Sequence, residues 1–258
     1  QTVHELPWRH AARENSGLSH RFWARFGPWR ADAVICPTEF VRTDLLAESP
    51  HGHSRVHACH WGIDPGFARA AVDRRALIEK YRLPDAPFAV LLGATRPKKN
   101  LAAALRALAI AEDSDLHLVV TGKVTPDLLR DVDLAASLGL RARLHTLGEI
   151  VCEDLPCLIA MARVTLVLST SEGFGFPTLE SLACATPVIV AADSAQAEVA
   201  GDAGIVTRPG DPASLWSAIN IALRQTEAER SALPLRAAQF SWRECAQRVE
   251  EIWMSWAR

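Results

Sequence analysis

Residues 171–190 read SEGFGFPTLESLACATPVIV, with Glu172 and Glu180 eight positions apart. Between the acids lie a Gly173-Phe174-Gly175 turn and Pro177, followed by a short helical run and an apolar strand. Glycines let a backbone approach a ligand closely, and proline suits the first position of a helix. A loop entering a helix in this way can hold an anion on its free N–H groups, and a carboxylate beside it can accept bonds from hydroxyls. Taken singly, Glu180 reads as a first-turn acid near the helix dipole and Glu172 as a loop acid. Taken with the glycines, they read as one binding loop for a ligand carrying phosphate and hydroxyls, the two features of a nucleotide sugar.

On both sides of this loop, strands and helices alternate from residue 87 onward. FAVLLG (88–93), LHLVVTG (116–122), RLHTLG (143–148), RVTLVLST (163–170), PVIVAA (187–192) and a short AGIV (203–206) read as strands. Between them run LAAALRALAIAE capped by Asn100, a helix from Thr125-Pro126 to Gly139, EDLPCLIAMA, the helix of the opening motif, and ASLWSAINIALRQ. Continuous apolar strands separated by amphipathic helices predict an α/β fold, a parallel sheet covered on both faces. Ligands of such sheets sit at the carboxyl ends of the strands, where both glutamates and the loop 94–99 fall.

Residues 1–65 read differently. TVHEL, DAVICP and RVHACH are candidate strands, and Thr38 caps a helix over FVRTDLLAES. Three short strands do not make an α/β domain of their own, so 1–65 is read as the tail of an N-terminal domain whose earlier half lies outside the sequence. Residues 66–87 are read as a linker, 88–240 as the complete ligand-binding domain, and 241–258 as a helix packing back on the N-terminal part. That last helix would place Val249, Ile252, Trp253 and Trp256 on one face. Trp8, Trp23 and Trp29 read as packing residues rather than acceptor platforms.

Composition narrows the classes. The chain has 258 residues, 49% hydrophobic and 22% charged, and a net charge of −2, so no broad nucleic-acid surface is expected. Its apolar runs are too short to span a bilayer. The six scattered cysteines read as buried thiols of a cytoplasmic protein. His51, His53, His57 and His60 invite a zinc reading, but alternate residues around a strand split between its faces, so no metal site is assigned.

Lysine is rare, four against 24 arginines, yet Lys98 and Lys99 are adjacent in GATRPKKN (93–100). A Lys ammonium at a sheet's carboxyl edge suits a phosphate. EGFGFPTLESLACATPVIV resembles the glutamate–seven residues–glutamate signature of the retaining group 1 glycosyltransferases (family 4), which have the two-domain GT-B fold. WGID (61–64), GATRPKKN, LGEI, AEVAGDAGIVTRPGDPASLWSAI, the FSW helix and TVHEL are similar to that family's segments, in its order.

The resemblance implies roles. Glu172 would lie against the transferred sugar and Glu180 would accept bonds from the ribose. Gly173, Phe174 and Gly175 would form the turn under the sugar, and the amides around Thr178 and Leu179 would meet the diphosphate. Lys99 matches the phosphate lysine and His4 the active-site histidine. Many members carry Arg where this chain has Ala94, leaving Arg96 or Lys98 to substitute. Mannosyltransferase-like members share that departure, which favours a GDP-mannose-type donor. The resemblance further implies transfer with retention to a glycan, lipid-linked or small-molecule acceptor, no divalent metal, no cofactor beyond the donor, and peripheral membrane contact. A non-catalytic nucleotide-sugar-binding module and a sugar-nucleotide epimerase are the alternatives.

Overall fold

The computed structural model describes residues 1–10, 18–49, 53–68, 73–111 and 114–256. Eight strands are present among the described residues: β1 (Val34–Cys36), β2 (Val56–Ala58), β3 (Phe88–Leu91), β4 (His117–Val120), β5 (Leu144–Thr146), β6 (Val164–Val167), β7 (Val188–Ala191) and β8 (Ile205–Thr207). The last six form one sheet of order β5-β4-β3-β6-β7-β8, and every pair in it is parallel. All four residues of β3, of β6 and of β7 are buried. Continuous apolar strands are thus covered on both faces, as their composition requires.

The strand order decides where a ligand can go. From β3 the chain winds outward through β4 to β5, then returns to β6 on the other side and winds outward through β7 to β8. The loops leaving β3 and β6 therefore diverge, opening a crevice at the carboxyl ends of these two strands.

Local chemistry sets most helix ends. Thr125 accepts from the Leu128 amide to open Pro126–Ser137, and Gly139 lies beyond its end at a φ of 73°. Asp211 opens Pro212–Arg224, and Thr226 with Glu229 forms a reciprocal capping box for Glu227–Ala237. Asn100 departs from its expected role. It takes φ 59° with no side-chain cap bond, and its amide closes the turn Pro97–Lys99 on the Pro97 carbonyl. Its tolerance of left-handed backbone, not its capping oxygen, is what the site uses.

Within the stretch read as a linker, residues 73–87 pack on the large sheet. The helix Arg74–Tyr81, capped by Asp73, buries Leu77 against Phe88, Val90 and Leu158, and Leu83 joins the same cluster. Lys80 Nζ and Tyr81 Oη reach Asp154 at 2.6 and 2.7 Å. This segment packs as part of the large sheet's own layer.

Near the N-terminus, β1 and β2 pair in parallel. TVHEL, expected as a strand, contributes one bridge, Thr2 with Ile35. Thr38 caps Glu39–Glu48 as expected, accepting from the Val41 amide. In the final helix, Trp242–Trp256, Ile252 and Val249 pack on Ala33, Ile35 and Cys59 of this N-terminal part. Trp253, expected on the same face, is exposed instead. Trp23 and Trp29 are exposed as well, contrary to the packing role read for them.

All six cysteines are free, and burial pushes the Cys36 and Cys184 thiols up to about 12. Among the described residues, no three His, Cys, Asp or Glu side chains are grouped as metal ligands would be. His57 and His60 serve separate surroundings, while His51 lies outside the described residues. No helix among them is long and apolar enough to cross a membrane.

Candidate active site

The crevice between β3 and β6 opens into a cavity of about 410 Å³. It is lined by His4, Glu5 and Trp61 from the N-terminal part, by Arg96, Lys98 and Lys99 from the loop after β3, and by residues 172–177 from the loop after β6. Eight of the residues singled out from the sequence thus meet in one place: His4, Arg96, Lys98, Lys99, Glu172, Gly173, Phe174 and Gly175. Lys99 and Glu172, 73 positions apart, are joined because their loops leave adjacent strands at the switch in winding.

Charge in this cavity is paired. Lys99 Nζ is 2.6 Å from Glu172 Oε1, with both side chains largely buried. Lys98 is also buried, and its ammonium lies 3.2 Å from both carboxylate oxygens of Glu5. Arg96 is the exposed cation of the loop. Ala94 is buried in the sheet's core, so the position where relatives of the resembled family carry arginine faces inward here. Of the two residues offered as substitutes, Lys98 is engaged with Glu5, whereas Arg96 faces the cavity.

The glycines act sterically. A Cβ on Gly173 would sit on top of the His4 carbonyl oxygen, so only glycine lets the N-terminal segment lie against this loop. The Gly173 carbonyl also accepts from Thr38 Oγ1 at 2.9 Å. Gly175 has φ 90°, a conformation that side chains rarely adopt, and it opens the helix Phe176–Ala183. Phe174 points into a core cluster, with its ring 5.5 Å from Trp61 and 5.9 Å from Phe240. Trp61 stacks on Phe176 at 5.4 Å and meets the His4 ring at a tilt, 5.3 Å between centroids.

Thr178, Leu179 and Glu180 lie behind the cavity wall. The Thr178 amide, expected to face the diphosphate, is spent on the Gly175 carbonyl at 2.9 Å. Pro177 has no N–H, so the outward donors of this helix start are those of Gly175 and Phe176. Beneath the loop, Ser169 Oγ, Thr178 Oγ1 and Gln196 Oε1 are buried without a protein partner. Burial raises the Glu180 carboxyl to about 7, against the opposing pull of the Lys99 ammonium. Glu180 is therefore within electrostatic reach of Lys99.

Sequence reading missed three contributors. Glu5 follows His4 directly, yet its partner Lys98 is distant in sequence. Trp61 stood only for a junction segment. Glu198 resembled an ordinary surface acid of a helix. Its carboxylate accepts the amides of Glu39 and Phe40 at 2.8 and 2.7 Å and contacts His60 Nε2 at 2.7 Å, pinning the N-terminal part to the large sheet. Burial works against its ionised form, but the bonds from His60 and the two amides outweigh it and hold the carboxyl below its usual range.

Comparison with known proteins agrees with this fold. Residues 73–234 match the family model described as glycosyl transferases group 1. O-antigen chain mannosyltransferase B of Escherichia coli is 28% identical over 226 residues, covering 83% of this chain and 58% of that protein. D-inositol 3-phosphate glycosyltransferase of Salinispora tropica is 32% identical over 235 residues, covering 82% of this chain and 48% of that protein. The chain thus spans about half the length of these relatives. Among solved structures, Anabaena HepE in complex with UDP superposes with a TM-score of 0.84 at 20% identity, covering 98% of this chain and 71% of that one, which shows a shared GT-B fold. Because the family match runs over well more than half of the sequence, this chain belongs to the group 1 glycosyl transferases.

Proposed function

We propose that the chain forms the donor side of a glycosyltransferase that takes its sugar from a nucleoside-diphosphate carrier. The observation that carries this reading is the Lys99–Glu172 pair at the switch in strand winding, facing His4 across one cavity. Departure of the diphosphate leaves negative charge on its oxygens and positive charge at the anomeric carbon. Lys99, Arg96 and the amides of Gly175 and Phe176 are placed to stabilise the first charge as it forms. Glu172 stabilises the second or holds the sugar's hydroxyls, and Glu180 accepts from the ribose. These fixed charges and dipoles need no divalent ion in the scheme.

In this reading, the acceptor hydroxyl attacks from the face the diphosphate leaves. The departing phosphate takes its proton, and anomeric configuration is retained. A mannosyl donor, of GDP-mannose type, is favoured because one relative is named a mannosyltransferase, and the UDP held by HepE supports a nucleoside diphosphate in general. The acceptor is a glycan, a lipid-linked sugar or a small molecule.

The test is a thermal-shift screen of UDP-, GDP- and ADP-sugars on this chain and on Glu180→Ala. A shift for one nucleotide class that Glu180→Ala diminishes is expected. Absence of any shift, or a shift indifferent to Glu180, would overturn the donor assignment.

A further inference from the structure

Three arginines from separate elements line one cavity of about 360 Å³. Arg74 opens the helix Arg74–Tyr81, Arg163 stands between the helix Leu155–Met161 and β6, and Arg230 lies in the helix Glu227–Ala237. This cavity sits at the edge of the sheet where β6 begins, whereas the donor cavity sits where β3 and β6 end. The helix Phe176–Ala183 runs between the two. Gly175 and Phe176 line the donor cavity at its start, and Cys184 and Ala185 line the other at its end.

The backbone under each arginine is fixed. Asp73 caps the first helix through the Ala76 amide, and Leu77 anchors that helix in the core. The Arg163 amide donates to the Phe88 carbonyl at 2.8 Å, and Arg230 follows the capping box of Thr226 and Glu229. Acids do not hold the side chains. Elsewhere Arg42, Arg130 and Arg248 each pair with an acid three positions away on the same helix. Glu227 stands at that spacing from Arg230 and is the one acid among the described residues that line the cavity. Even so, among the described residues none of Arg74, Arg163 and Arg230 makes an ion pair or a side-chain hydrogen bond.

Like charges brought together repel unless something opposes them. Burial, and then the neighbouring Arg163 charge, hold the Arg230 guanidinium below its usual range against the opposing pull of Glu227. The chain as a whole carries −2, so this is a local surplus of positive charge and not part of a basic surface. Guanidinium groups present planar forks that bind phosphate oxygens in pairs. Much of the remaining wall is small, with Ala160, Ala162 and Ala185, and leaves room for the body of a ligand. We propose that this cavity is a second anion site, which takes the phosphate groups of a phosphorylated small molecule on Arg74, Arg163 and Arg230. None of the three lines the donor cavity, so the two sites are separate.

Calorimetric titration with inorganic pyrophosphate tests it, on the native chain, on Lys99→Ala, and on Lys99→Ala carrying Arg74→Ser and Arg163→Ser. Pyrophosphate should still bind Lys99→Ala. The added arginine replacements should weaken that binding about tenfold or more, the scale of losing charge-assisted bonds. Raised salt should weaken it too. Arg74 and Arg163 are exposed, so replacing them should not lower the melting temperature. Arg230→Lys, which keeps the charge and loses the fork, should also weaken binding, but by less. Loss of all pyrophosphate binding in Lys99→Ala would place the anion in the donor cavity alone and overturn the proposal. So would binding indifferent to the arginines, or citrate bound as tightly as pyrophosphate, because the cavity would then select charge and not phosphate.

Discussion

Lys99 and Glu172 neutralise each other across 2.6 Å, one from the loop after β3 and the other from the loop after β6. In the proposed reaction, a diphosphate must compete for this lysine, while the glutamate it releases is left beside the sugar. Lys99→Ala should therefore lower transfer by about 10²–10³-fold, the scale of losing one preorganised charge-stabilising donor. It should also weaken nucleoside-diphosphate binding in calorimetry. Glu172→Gln should lower transfer comparably while leaving diphosphate binding intact or tighter. Equal loss of binding in both variants would contradict the division of labour.

Glu180 makes stability depend on pH in a defined direction. Its carboxyl is raised from 4.5 to about 7, so the folded chain binds this proton more tightly than the unfolded chain does. The resulting stability is fully present below about 4.5 and is lost as pH rises through about 7. Glu180→Gln should flatten that part of the melting profile. Ribose hydroxyls prefer the ionised acceptor, so nucleotide affinity should rise over the same interval in the native chain and not in the variant.

Gly173→Ala should separate the N-terminal segment from the glutamate loop, because the added methyl collides with the His4 carbonyl. Overpacking of this kind costs about 1–3 kcal/mol. Faster hydrogen exchange over residues 1–6, with the six-stranded sheet unaffected, is the expected readout.

Glu198→Ala should leave the first amides of Glu39–Glu48 and the His60 ring without their acceptor. The cost should be about 1–3 kcal/mol, towards the lower end because the pair with His60 is partly solvated. The native carboxyl titrates below its ordinary value, so its stability is present above about 4.5 and is lost as pH falls through the lowered value. A native chain whose acid-side melting matches that of Glu198→Ala would rule this out.

Several features were legible from order and residue type alone. The central strands β3, β6 and β7 could be read because fully buried parallel strands must be continuously apolar, and Thr38, Thr125 and Gly139 could be placed because cap chemistry is local. The loop-to-helix character of 171–183 followed from its glycines and Pro177. By contrast, TVHEL has a strand's composition but makes a single bridge, since pairing depends on what lies beside it. Trp23, Trp29 and Trp253 have the composition of core residues, yet their helices turn them outward.

The sequence by itself determined the strands of the large sheet, their parallel arrangement and the chemical types at the two loops, because periodicity, capping and backbone tolerance act over a few residues. Only the tertiary structure decided which of those residues meet. Strand order set the loops of Lys99 and Glu172 against each other. Glu5 took Lys98 and left Arg96 facing the cavity, and Glu198 became the pin between the two parts of the chain. Such pairings depend on through-space distance, and no local pattern encodes which of two neighbouring cations will find a buried acid.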